Sequence, residues 1–186
     1  MQNHIEIEFK TLIDEITYLA LLKEFGLEDK TFIQTNYYFD TNNNDLMNKK
    51  TVLRIRKKEQ YKLTKKEKGN NSNLETSLYL TNEQALNMIK NGFDASIINE
   101  PYFVKNICSL QTIRAKTNYK DGIIFFDKST YLDKTDYEIE FEASDYENGL
   151  KTFTNFLIER NIEKKDAISK SKRAFNLYNE KKKKGC

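Results

Sequence analysis

The sequence predicts an α+β fold: a closed eight-stranded antiparallel β-barrel forming a tunnel with a charged lumen, its helices packed on the outside. Three observations lead there. Short segments that alternate apolar and polar residues recur along the 186-residue chain. Helical segments with apolar stripes stand at its start, middle and end. The polar side of each strand carries one set of charges, not the interchangeable mixture of a solvated sheet. Helices with apolar stripes must cover apolar sheet faces. If they cover the Ile and Leu faces, the charged faces turn toward one another around a wet lumen.

Residues 4–10 open the pattern, with Ile5, Ile7 and Phe9 opposite Glu6, Glu8 and Lys10. Residues 14–25 place Ile16, Leu19, Leu22 and Phe25 at helical spacing, and Gly26 offers a stop. The aromatic and β-branched run 31–40 reads as a strand, and Asn42 to Asp45 as a turn. Residues 51–57 and 60–67 form a hairpin pair, Lys68 to Asn73 a polar loop, and 74–80 another alternating strand. Thr81 followed by Asn82-Glu83-Gln84 reads as the start of a helix over 82–91 that ends near Gly92. Residues 94–107, with the only proline, Pro101, read as irregular or short helix. Segments 109–119 and 123–131 flank Lys120-Asp121-Gly122, a hairpin signal. Residues 136–143 alternate again, and helices follow over about 145–160 and 164–180. The chain reads as one domain over 1–180 with a basic, frayed tail over 181–186.

The charges on the polar faces are specific. Arg54 and Arg56 share one strand, and Lys62, Thr64 and Lys66 the next. Arg114 and Lys116 share another, and Glu138, Glu140 and Glu142 a third. Three glutamates at about 7 Å spacing along a strand repel one another unless a cation or ligand offsets them. Guanidinium and ammonium groups suit phosphate oxygens, and clustered carboxylates suit hard divalent cations. A site with both suits a metal-bound polyphosphate.

Composition narrows the alternatives. The chain has 32% charged and 38% hydrophobic residues, a net charge of +3 and a mean hydropathy of -0.76, which describes a folded, very polar protein. Two cysteines, Cys108 and Cys186, and a single histidine, His4, rule out a zinc finger and leave little room for a histidine-centred triad. Cys108 reads as a small buried hydrophobe. No apolar run approaches membrane-spanning length and no secretory signal opens the chain, so a cytoplasmic setting without membrane contact is expected.

Taken in order, these residues resemble the CYTH, or triphosphate tunnel metalloenzyme, superfamily, in its small bacterial cytoplasmic form. Glu6-Ile7-Glu8-Phe9-Lys10 matches the family's Glu-x-Glu-x-Lys strand. Tyr38-Phe39-Asp40-Thr41, Leu53-Arg54-Ile55-Arg56 and Leu63-Thr64-Lys65-Lys66 are similar to its next motifs. Arg114, Asp127, Glu138-Ile139-Glu140 and Ser169 to Lys172 resemble the later ones. Several members carry Lys-x-Arg where this chain has Thr112-Ile113-Arg114, so one phosphate contact is either missing or supplied by Lys116.

The resemblance implies metal-dependent hydrolysis of a triphosphate, with Mg2+ or Mn2+ as cofactor. It makes Glu6, Glu8, Glu138 and Glu140 metal ligands and catalytic residues, with Asp127 a further candidate ligand. Phosphate contacts fall to Lys10, Arg54, Arg56, Lys66, Arg114 and Lys170, with Arg173 as the second C-terminal candidate. Lys10 has two readings, a contact to the leaving oxygen or a salt bridge to Glu8. For Tyr38 and Phe39 packing is the expected role, and for Asp40 with Thr41 a turn cap. Glu75 faces either the lumen or an exposed ion pair.

An adenylate cyclase, with attack by the ribose 3′-hydroxyl on ATP, is the nearest alternative; it needs a purine pocket that the sequence does not reveal. A non-catalytic polyphosphate- or nucleotide-binding module would not need the acidic set. An RNA-binding barrel would need aromatics on its basic strands, where Tyr61 is the main example. The expected partner is therefore a small-molecule triphosphate and no nucleic acid, with the chain a monomer or homodimer.

Overall fold

The computed structural model describes residues 1–184; the end of the expected tail, Gly185 and Cys186, lies outside the described residues. Strand β1 (Gln2–Ile13) is followed by helix α1 (Glu15–Glu24), β2 (Phe32–Asp40), the short α2 (Asp45–Asn48), β3 (Thr51–Lys57), β4 (Tyr61–Lys68) and β5 (Asn73–Leu80). Then come α3 (Asn82–Asn91), the two-residue β6 (Phe93–Asp94), a 3-10 turn (Ala95–Ile98), β7 (Phe103–Tyr119), β8 (Gly122–Tyr131), β9 (Lys134–Ala143), α4 (Tyr146–Glu159) and α5 (Lys170–Lys183). The hydrogen-bonded order is β2-β3-β4-β5-β1-β9-β8-β7-β6, and β2 also pairs with β7. Eight strands thus close on themselves, and the fold is an α+β antiparallel barrel as the sequence predicts. Among the described residues no helix is long and apolar enough to cross a membrane.

Two compact units divide the chain. The first holds Met1–Ile5, Gln34–Leu110 and the segment from Ser169 onward. Its sheet buries Phe39, Leu53, Ile55 and Leu63 against Leu46 of α2 and Ala85 of α3. The Asp40 carboxylate accepts from the backbone N–H groups of Thr41 (2.8 Å), Leu46 (2.9 Å) and Met47 (3.0 Å), so this residue caps the chain turn and α2 together. The capping box at α3 forms with both of its bonds, and Gly92 ends the helix at φ 80.

The second unit holds Glu6–Ile33 and Gln111–Ile168. Phe9, Ala115, Ile124, Phe126, Ile139 and Phe141 form its apolar sheet face, under Tyr18, Leu21 and Leu22 of α1 and Phe153, Phe156 and Leu157 of α4. The stripe expected on α1 is only half buried: Ile16 is 80% exposed and Leu19 56%. Steps of three residues fall about 60° short of a turn, so a series 16, 19, 22, 25 drifts half-way round the helix. The buried stripe is centred on Tyr18, Leu21 and Leu22.

Three more boundaries differ from expectation. Phe103 to Ile107, expected to be irregular, belongs to the long β7. Helix α5 starts at Lys170, where Ser169 caps it, and continues through Lys181, Lys182 and Lys183 of the expected frayed tail. The β7–β8 loop is Lys120-Asp121, with Lys120 at φ 53, and Gly122 is already paired with Tyr119. Gly122 is needed for another reason: a Cβ there would lie 2.6 Å from the Phe141 ring and 2.3 Å from the Glu142 carbonyl oxygen.

Candidate active site

In the first unit, strand alternation puts a basic face opposite the apolar one. Arg54 and Arg56 of β3 stand across from Thr64 and Lys62 of β4, and across from Tyr38 and Asn36 of β2. Lys66 stands across from Glu75 of β5. Arg54 Nη2 donates to Glu75 Oε1 at 3.3 Å, and Lys66 Nζ lies 3.9 Å from the same oxygen. Arg56 Nε donates to Asn36 Oδ1 at 3.1 Å, which fixes the plane of that guanidinium. Glu75 is therefore an internal counter-ion on the charged face, not an exposed one. Burial pushes its carboxyl up, but Arg54, Lys66, Arg56 and Lys62 outweigh burial and hold it below the usual value.

The same alternation separates two adjacent lysines. Lys66 joins the charged face, while Lys65 is buried on the opposite side with Glu100 at 3.3 Å and Glu67 at 3.3 Å. Tyr38 lies beside Arg54 on the charged face, fully buried, with its ring centroid 6.1 Å from that of Phe175 on α5. Burial raises its hydroxyl pKa, and the charges of Arg54, Arg56 and Lys170 oppose that rise. Lys170 and the buried Arg173 belong to this unit.

The second unit carries an acidic face. Asp127, Glu138 and Glu140 are buried, with one carboxylate oxygen of each within 4.8 Å of the others. Register builds the cluster: Asp127 pairs with Glu138, and Arg114 with Asp127. Arg114 donates to Asp127 through Nε at 2.7 Å and Nη2 at 2.5 Å, and also from Nη2 to Glu140. Its guanidinium stacks 4.4 Å from the Phe125 ring centroid. Burial lowers the Arg114 pKa, but Asp127 and Glu140 lift it well above the ordinary value, so its charge is permanent.

Strand β1 completes the face. Lys10 lies opposite Glu140, and Glu8 opposite Glu142. The Lys10 ammonium is held by the Glu8 carboxylate, as in one of its two expected roles. Glu6 is buried. Like charges directly opposite one another are unfavourable. Glu142 registers this: burial first, then Glu6, Glu140 and Glu8, push its carboxyl up to about 7 against the pull of Arg114.

The structure therefore gathers Arg54, Arg56 and Lys66 on one face of the first unit. It gathers Glu6, Glu8, Lys10, Arg114, Asp127, Glu138 and Glu140 on one face of the second. Lys116 shares the face of Arg114 by alternation but is exposed. Sequence reasoning named Glu142 on a charged strand and left Glu75 open between lumen and exposed ion pair without placing either in the site, and it did not single out Asn36 or Phe125. Alternation alone placed Glu142 beside Glu140, so that signal was present. The other three needed cross-strand register. Tyr61, the aromatic expected on a basic strand, is buried in the apolar cluster instead.

A family model of the CYTH domain matches residues 4–175. The chain is 34% identical over 192 residues to the Bacillus subtilis (strain 168) protein named "Putative triphosphatase YjbK", covering 98% of this chain and 99% of that protein. Among solved structures it is similar to a "putative adenylate cyclase" from Bacillus halodurans, with 32% identity and a TM-score of 0.86 over 94% of this chain and 100% of that one. It also shares its fold with a protein from Hippeastrum, described as a "putative adenylyl cyclase" with a dominant triphosphatase activity. That pair has a TM-score of 0.74 and 21% identity, over 93% of this chain and 95% of the other.

Proposed function

The chain belongs to the CYTH domain family, and from that premise we propose that it is a divalent-metal-dependent triphosphatase acting on tripolyphosphate or an organic triphosphate. The observation that carries this reading is the buried carboxylate cluster of Asp127, Glu138 and Glu140. These three, with Glu6, Glu8 and Glu142, outnumber the cations Arg114, Lys10 and Lys116 on the same face. Hard oxygen donors in a buried group of net negative charge fit Mg2+ or Mn2+. Glu6, Glu8, Asp127, Glu138 and Glu140 would hold one or two such ions. When bound, the ion supplies charge stabilisation at the phosphate oxygens.

The chain's own residues do the rest. Arg54, Arg56 and Lys66 neutralise and align the phosphate chain, with Lys170 and Arg173 as further cations from α5 and Lys116 as the outermost. Asn36 presets the Arg56 plane, so less freedom is lost when it grips a phosphate. Arg114 keeps Asp127 and Glu140 in place and presents positive charge to the transferred group. Lys10, held by Glu8, donates to the leaving oxygen. Glu6 or Glu8 accepts a hydrogen bond from the attacking water and sets it in line with the terminal phosphorus. The substrate is a small molecule rather than a nucleic acid, and the setting is the cytoplasm.

The test is phosphate release. Purified protein with Mg2+ or Mn2+ should release phosphate from tripolyphosphate, and chelator should abolish it. Glu140→Gln should lower the rate by orders of magnitude. With ATP, a triphosphatase yields ADP and phosphate, whereas a cyclase yields cyclic AMP and pyrophosphate. Turnover indifferent to chelator would overturn the metal-dependent reading.

A further inference from the structure

We infer that Tyr79 is the stacking platform for the aromatic head group of an organic triphosphate. The inference rests on the reading that Arg54, Arg56 and Lys66 hold phosphate. A single exposed aromatic is ordinary on a protein surface. What sets Tyr79 apart is its place in the sheet.

Alternation along β5 puts Glu75, Ser77 and Tyr79 on the charged face of the first unit, and Thr76 and Leu80 on the buried side. Register then aligns one row across four strands, Asn36–Arg56–Lys62–Tyr79. In that row Tyr79 stands two strand spacings, about 10 Å, from Arg56.

Tyr79 is 58% exposed. The Lys62 ammonium lies 5.8 Å from its centroid and steadies it by a cation–π contact. A phosphate chain on Arg54 and Arg56, continued through a sugar, brings a base to Tyr79 while Lys62 meets the phosphate nearest the sugar. Stacking on a ring face does not read hydrogen-bonding edges, so adenine and guanine triphosphates should bind alike. The sequence hides this residue because an alternating strand with one tyrosine shows nothing of which cations it will be paired with.

The experiment is calorimetric binding of the β,γ-imido analogue of ATP and of imidotriphosphate, in Mg2+, to wild type, Tyr79→Ala and Tyr79→Phe. Binding needs no turnover, and phosphate release is measured alongside. Tyr79→Ala should weaken the ATP analogue about 10-fold. It should leave imidotriphosphate unchanged, and Tyr79→Phe should behave as wild type. Equal loss for both ligands, no loss for either, or no binding of the ATP analogue to wild type would each overturn the inference. A selective loss in a protein that releases no phosphate would leave the stacking site standing and remove the hydrolytic reading.

Discussion

Between Gln34 and Leu110 the charged face of the sheet is cationic and partly open, with Arg54, Arg56 and Lys66 all short of full burial. From Glu6 to Ile33 and Gln111 to Ile168 it is anionic and closed, with Asp127, Glu138, Glu140 and Arg114 buried. Both halves use the same construction, a sheet with helices on its apolar side. They differ in how their charge is compensated. The cationic half sets one carboxylate, Glu75, against two close cations. The anionic half sets one guanidinium, Arg114, against two carboxylates, Asp127 and Glu140, and one ammonium, Lys10, against Glu8. An open cationic face is suited to a ligand that arrives and leaves. A closed anionic face is suited to an ion that stays.

The largest effect that would break this comparison concerns Arg114. Replacing it by Leu strands two buried carboxylates, so Arg114→Leu should destabilise the protein by about 3–5 kcal/mol in urea titrations. Arg54→Ala, in the open half, should cost only about 1 kcal/mol. If the two variants unfold alike, the distinction between a closed and an open charged face is wrong. The next effect is functional. On the proposed function, Arg54→Ala should raise the KM for tripolyphosphate about 10- to 100-fold, through loss of one charged hydrogen-bonding partner of the phosphate.

A smaller effect follows from Glu142. Its folded pKa, about 7, lies above the ordinary carboxyl value, so the folded state binds the extra proton. Its contribution to stability is fully present below the ordinary value and is lost as pH rises through about 7. Chelator-treated wild type should therefore melt at lower temperature at pH 8 than at pH 5.5, and Glu142→Gln should flatten that difference. A difference unchanged in the variant would assign the titration to another group. The smallest effect is chemical. Burial pushes the Cys108 thiol up to about 12, so peptide-mapped iodoacetamide labelling at pH 8 should miss Cys108 in folded protein and find it in urea.

Much of this was legible in the chain itself. Glu6-Ile7-Glu8-Phe9-Lys10 and Glu138 to Glu142 announce charged strand faces by period-two alternation, and Thr81 with Gln84 announces α3 by local capping chemistry. Local signals of this kind act within a few residues and can be read there. The pairing of Lys65 with Glu100, and of Arg54 with Glu75, crosses tens of residues and depends on strand register. The stripe of α1 was misread because apolar residues stand on both sides of that helix. Phe103 to Ile107 was missed because Pro101 and the short turn before it mask the start of a long strand.

The division of labour between the two halves is tested most directly by calorimetric titration of Mn2+ into wild type, Glu138→Gln, Glu140→Gln and an Arg54→Ala/Arg56→Ala double variant, without phosphate. Wild type and the arginine variant should bind Mn2+ alike, and both glutamine variants should lose most of that binding while remaining folded by circular dichroism. Equal binding in all four, or loss confined to the arginine variant, would contradict the assignment of the cation to the anionic half.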